Sequence, residues 1–264
     1  MALCPPDALS AVLSITTPQR QDLNQIPLGS GFLYNRDRGD GWSDCWIVTN
    51  RHVIDDAKGE GSTQLLARVN LDQQRGTQPI VTDLSRWIMH PDSSRDISIH
   101  PAPPPEGLQE IGANAKSFGD TNSLDRAMAI QSQLSAGDHC FMLGFPVGAQ
   151  AAHQDYPVVR FGILSQVQGW FDGHHHTFLV DGSAFPGNSG GPVLLEPTLV
   201  AIEGTPRRDL ASLIGVVTAQ KISFTVCSQC GSPHRESADL VVVEPMDSVY
   251  ATIDAARSVL PLME

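Results

Sequence analysis

The chain has 264 residues, 41% hydrophobic and 17% charged, which argues against a disordered protein and allows a large buried core. Its net charge of −12 argues against non-specific binding to nucleic acid or an anionic membrane, both of which need clustered Lys and Arg. Five scattered cysteines, an odd number, argue against a secreted disulfide framework and for reduced thiols. The first residues, Met1 to Asp7, lack a basic region followed by a long apolar run, and no stretch is long enough to span a bilayer. A cytoplasmic location is therefore the expectation.

In chain order, the 23 glycines and 19 prolines imply frequent turns between short strands. Residues 7–16 alternate weakly and suit a short helix or a first strand. Strands are expected over 26–34, 45–49, 65–70, 79–83 and 96–100. A polar hairpin tip falls at 35–44 and a helical turn at 50–56. Prolines at 101–105 stop regular structure because proline removes ladder donors. A polar stretch follows, with a helical turn near 124–130. Strands then resume over 138–145, 158–167, 177–180, 199–203, 213–219 and 240–243. The 199–203 and 213–219 strands are expected to pair. Met246, Val249, Tyr250, Ile253 and Ala256 recur at helical spacing after Pro245, predicting a C-terminal helix. The domain reading is 1–112 and 138–244 as two β units, 113–137 as their link and 245–264 as the helix.

Three pieces carry chemistry. Pro186-Gly187-Asn188-Ser189-Gly190-Gly191-Pro192 sets a serine among glycines, so that its Oγ can project from a tight turn beside free N–H groups. A serine hydroxyl needs a base to attack an amide. His52, at the end of the apolar run Trp46-Ile47-Val48-Thr49-Asn50-Arg51, is the candidate base. Asp96, at the mouth of Asp96-Ile97-Ser98-Ile99, is the candidate partner that orients it. The order His, Asp, Ser leaves room for half of a double β-barrel in each gap.

With Gly29-Ser30-Gly31-Phe32 added, these pieces run in the order of the chymotrypsin/trypsin-like serine protease family. The chain resembles that family, and within it the bacterial trypsin-like peptidases and the HtrA-type protease domain without a PDZ domain. The resemblance implies an all-β fold of two six-stranded antiparallel Greek-key barrels with a C-terminal helix. It implies a serine endopeptidase acting through an acyl-enzyme, with His52, Asp96 and Ser189 catalytic. Backbone N–H groups of Gly187, Asn188 and Ser189 would form the oxyanion hole. Ser183, Thr218, Ala219 and Gln220 would line the substrate pocket, and Thr218 would support the catalytic aspartate. Because Ser183 is not acidic, a small or medium apolar side chain is expected in that pocket, rather than Arg or Lys.

No cofactor is implied. The partners expected are a peptide or protein substrate and a regulatory protein, with no nucleic acid and no membrane. Asn188 stands where animal trypsins have aspartate, and no Ile-Val-Gly-Gly start is present, so zymogen cleavage is not the expected control. Activity would be latent if the loop 184–188 is collapsed at rest. His90 reads as structural, and His174 to His176 as a solvated hairpin tip. Cys227, Cys230 and His234 look like half of a zinc knuckle without a second close pair, so no metal is expected there. Two alternatives stay open: a latent protease-fold module that binds peptides or signals, and an esterase-like hydrolase on the same triad.

Overall fold

The computed structural model describes residues 4–18, 27–146, 154–198, 207–226 and 233–259. The expected strand at 199–203 and its pairing lie outside these residues, as do Cys227, Cys230 and the side chain of His234.

The start of the chain is both of the forms its pattern allowed. Helix α1 (Pro6–Ala11) runs directly into strand β1 (Val12–Thr16). Strands β2 (Gly29–Asp37) and β3 (Ser43–Thr49) form a hairpin, and helix α2 (Arg51–Gly59) follows at once. Strands β4 (Gln64–Asn70), β5 (Thr77–Asp83), β6 (Ile88–Met89) and β7 (Ser98–Pro101) complete most of the first sheet. Helix α3 (Pro105–Glu110) starts at a proline, where its missing N–H costs no helical bond. Strand β8 (Phe118–Gly119) and helix α4 (Arg126–Gln131) occupy the segment expected as a link.

The second lobe holds β9 (His139–Gly144), β10 (Val158–Gln166), helix α5 (Gln168–Phe171), β11 (Phe178–Asp181) and β12 (Pro192–Leu195). The long strands β13 (Ser212–Val226) and β14 (Pro233–Pro245) follow, and helix α6 (Met246–Val259) ends the described chain.

The architecture is the expected double-barrel type, but the lobes differ in closure. The second is a closed six-stranded barrel in the order β10-β11-β14-β13-β12-β9. The first runs as an open path, β5-β4-β1-β2-β3-β7-β6, with β8 pairing in parallel with β2. Pro79 fits this arrangement, since β5 is an end strand where a missing ladder donor is tolerated.

Strand alternation sorts the apolar residues into three cores. Leu13, Ile15, Leu33 and Ile47 face the interior of the first lobe, where Val53, Ile54 and Ala57 of α2 join them. Cys140, Met142, Val180, Val193 and Val241 fill the second barrel. The intervening residues, among them Phe32, Tyr34, Val48, Phe141 and Leu143, meet in a seam between the lobes. Helix α6 covers that seam with Met246, Val249, Ile253 and Ala256, the spacing the sequence pattern predicted. The Tyr250 hydroxyl reaches Ser123 of the link at 2.6 Å, and Arg257 Nε donates to Asp44 of β3 at 2.9 Å, fastening the helix to the link and to the first lobe. Among the described residues, no helix is long and apolar enough to cross a membrane.

Candidate active site

Strand β3 ends at Thr49, Asn50 is extended (φ −83°, ψ 154°), and α2 begins at Arg51. His52 therefore lies in the first helical turn, where backbone N–H groups have no intrahelical acceptor. Asp96 supplies one. Thr49 pairs with Ser98 across the β3–β7 ladder, which brings the residues just before β7 beside those just after β3. Asp96 Oδ1 accepts the His52 N–H at 3.0 Å, and Oδ2 lies 2.7 Å from His52 Nδ1. One carboxylate thus caps the helix start and orients the imidazole. The partial positive charge of a helix N-terminus also favours an anion there.

Asn50 does not cap its own helix. Its Nδ2 donates to the Asp96 carbonyl at 2.8 Å and to Thr218 Oγ1 at 3.3 Å. The support expected from Thr218 therefore reaches Asp96 through Asn50. Thr218 is the extra residue at a register shift between Val217 and Ala219 on β13, and such bulges re-aim side chains. The His52 ring is partly exposed. Burial by itself pushes its pKa down, but Asp96, with smaller contributions from Asp56 and Asp55, holds it above the ordinary histidine value.

Ser189 sits between two turns. Asn188 N–H donates to the Phe185 carbonyl at 2.9 Å, closing a four-residue turn with Pro186 and Gly187 at its centre. Gly187 has φ +100°, as the third position of a type II turn requires, and a Cβ there would run into the Phe145 carbonyl. Gly191 N–H donates to the Asn188 carbonyl at 2.9 Å, closing a second turn around Ser189 and Gly190, with Gly190 at φ +85°. The Asn188 N–H is thus held inside the first turn and is not a free oxyanion donor, a correction to the three-donor expectation. Among the described residues, the Gly187 and Ser189 N–H groups have no backbone acceptor.

The Ser189 hydroxyl donates to the Thr218 carbonyl at 3.3 Å, and it forms no hydrogen bond with His52 in this structure. Ser30 of β2 grips the turn from the other lobe. Its N–H donates to the Ser189 carbonyl at 2.7 Å and its Oγ to the Gly187 carbonyl at 2.6 Å, while Oγ accepts the Phe145 N–H at 3.0 Å.

A cleft of about 450 Å³ opens beside Ser189. Thr218, Ala219 and Gln220 line it, together with the 184–186 loop and Glu236 and Ser237 of β14. Ser183 is not among its lining residues. Its hydroxyl donates to Asp239 Oδ1 at 3.0 Å, and Ser237 Oγ donates to the same oxygen at 2.9 Å.

Among the described residues, the side chains of His90 and His174 to His176 bond none of His52, Asp96 and Ser189. Arg51 donates to the His90 carbonyl at 2.6 Å, while His174 to His176 are exposed. Among the described residues, no group of His, Cys, Asp or Glu could hold a metal ion. Sequence reading missed the placing roles of Ser30 and Asn50, the cleft position of Glu236 and the bond from the Asp96 N–H to the buried Glu244 carboxylate. Glu244 carried a signal, as an acid ending the apolar run Val241-Val242-Val243.

A search of curated proteins finds no match to the chain. Residues 29–202 match the family described as trypsin-like peptidase domain, a span that takes in His52, Asp96 and Ser189. The chain belongs to the trypsin-like peptidase domain family.

Proposed function

We propose that the protein is a serine endopeptidase that cleaves peptide bonds through an acyl-enzyme. Ser189 Oγ attacks the scissile carbonyl, and His52 takes its proton and later gives it to the leaving amine. Asp96 holds the ring in the tautomer that leaves Nε2 free to accept, and it stabilises the imidazolium that forms. The Gly187 and Ser189 N–H groups receive the developing oxyanion, each worth roughly 2.7–4 kcal/mol of transition-state stabilisation. The observation that carries this reading is the Asp96 carboxylate, bonded at once to the His52 ring and to the His52 backbone. Water then attacks the acyl-enzyme ester with His52 again as base, releasing the acid and restoring Ser189.

A second reading, a latent protease-fold module, is favoured by the Ser189 hydroxyl bonding to Thr218 and not to His52. An esterase-like hydrolase would use the same groups and differ in its leaving group. For the pocket, the proposed side chain is small or medium and apolar. Glu236, which lines the cleft, favours a cationic one instead, and a peptide library separates the two.

The test is intact mass after incubation with a fluorophosphonate, on wild type and on Ser189→Ala. A single adduct on Ser189, absent from the variant, is expected. A folded wild type that takes no adduct overturns the peptidase reading, and peptide binding without an adduct supports the latent module.

A further inference from the structure

We propose that Glu244 is a positioning residue for the His52–Asp96 pair, a role that rests on the catalytic reading above. Glu244 stands at the end of β14 and is 2% exposed. Its Oε1 accepts the Asp96 N–H at 3.2 Å, across the seam between the lobes. Its Oε2 accepts the Ser248 hydroxyl of α6 at 2.8 Å, and Ser248 is itself buried. Arg95, the neighbour of Asp96, brings Nη1 to 3.6 Å from Oε2, and the same nitrogen donates to Ser248 Oγ at 3.2 Å and to the His176 carbonyl at 2.8 Å.

Both residues at the mouth of β7 are therefore tied to the second lobe. Asp96 is then held at three places. Glu244 takes its N–H, Asn50 donates to its carbonyl, and His52 occupies its carboxylate. The lobe that carries Ser189 thereby sets the placement of the Asp96 backbone, and with it the ring that must meet the serine.

A purely structural role accounts poorly for the choice of residue. A buried carboxylate loses hydration, and well-packed apolar groups often serve stability as well or better. Burial, with a smaller push from the Asp96 carboxylate, raises the Glu244 pKa above the ordinary value, against the Ser248 hydroxyl, the Asp96 N–H and Arg95, which favour its ionised form. Each of the Glu244 contacts toward the first lobe goes to Arg95 or Asp96.

The experiment compares wild type, Glu244→Gln, Glu244→Leu and Ser248→Ala after thermal unfolding has established that each is folded. Gln keeps an acceptor for the Asp96 N–H and removes the charge, whereas Leu removes both. The readouts are the saturating rate and half-saturating concentration of fluorophosphonate labelling, and the His52 imidazole pKa followed by ring-proton NMR. Charged groups facing His52 are Asp96, Asp55 and Asp56, and those facing Glu244 are Arg95 and Asp96.

For Glu244→Leu the saturating rate should fall roughly 10- to 100-fold at unchanged half-saturation, the scale on which ~1 Å of misplacement acts, against less than about threefold for Gln. The His52 pKa should fall further in Leu than in Gln, because only Leu frees Asp96 to move. A folded Leu variant that matches Gln in both readouts overturns the proposal. If Leu does not fold, Ser248→Ala decides, with an intermediate loss expected and wild-type values overturning it. If wild type takes no label, the peptidase reading fails separately, and the His52 pKa series still decides the role of Glu244.

Discussion

The His52–Asp96 pair and the Ser189 turns come from opposite lobes and are held in different ways. Ladder register does most of the work for the first pair. Thr49 opposite Ser98 sets Asp96 against the start of α2, and the carboxylate completes an arrangement the strands have already brought close. Ser189 stands just beyond the β12–β13 ladder, whose last bonds join Val217 to Gly190 and Gly191. Its position depends on two glycines at positive φ and on the hold of Ser30 from across the seam. The difference shows in the geometry, since the His–Asp contact is made at 2.7 Å and the Ser189 hydroxyl turns to Thr218. One half is preformed, and in the other the serine hydroxyl bonds Thr218 and not its proposed partner.

The largest effect should come from breaking the preformed half chemically without moving it. Asp96→Asn can keep the acceptor for the His52 N–H, but its amide donates to Nδ1 and traps the wrong ring tautomer. A fall in kcat of about 10⁴-fold is expected, as for this exchange in a related triad, with the unfolding temperature little changed. Steady-state kinetics and differential scanning fluorimetry read both. A loss below tenfold would mean that Asp96 does not set the tautomer.

Ser30→Ala attacks the other half and should act first on stability. The variant leaves the buried Phe145 N–H and Gly187 carbonyl without the bonds they now make to Ser30 Oγ. An unsatisfied buried group costs about 1–3 kcal/mol. Each kcal/mol lowers the unfolding temperature by about 2–4 °C in a chain near this size. Labelling by a fluorophosphonate should slow as well, because the turn that presents the free N–H groups loses its clasp. An unchanged unfolding temperature would show that the seam does not hold the turn.

How much of this the sequence revealed follows the same division. The His, Asp and Ser positions, the apolar strands and α6 were legible because each rests on a local pattern, either an apolar period or a glycine cluster. The length of β13 and β14 was not. Beyond Gln220 that hairpin pairs residues such as Ile222 with Ser237 in an exposed ribbon, where no buried face enforces alternation. The open path of the first sheet was also hidden, since closure depends on which strands meet and not on any one strand's pattern. In sequence nothing distinguishes the Asn188 N–H from those of Gly187 and Ser189; only the turn geometry reveals that it is taken by the Phe185 carbonyl. Asn50 and Ser30 look like ordinary polar residues in sequence, and their roles come from partners far along the chain.

The smallest expected effect is a shift in pH dependence, and it separates the two halves cleanly. His52 must be neutral to accept the serine proton, so labelling and turnover should fall as pH drops through its pKa. Burial opposes the charged ring, but Asp96, with Asp56 and Asp55, outweighs burial and raises that pKa above the ordinary value. The acid limb of the rate profile should therefore lie above the ordinary histidine midpoint of about 6.5. Stability runs the other way. The contribution of the imidazolium is fully present below the unfolded-state pKa and is lost as pH rises through the folded-state value. In Asp56→Asn the limb should move slightly to lower pH, and in Asp96→Asn it should move further, because burial is then less opposed. In Ser30→Ala it should not move, since Ser30 touches the serine turn and not the carboxylate. A matching shift in Ser30→Ala would mean that the two halves are coupled through the seam, and that the preformed pair depends on the turn it serves.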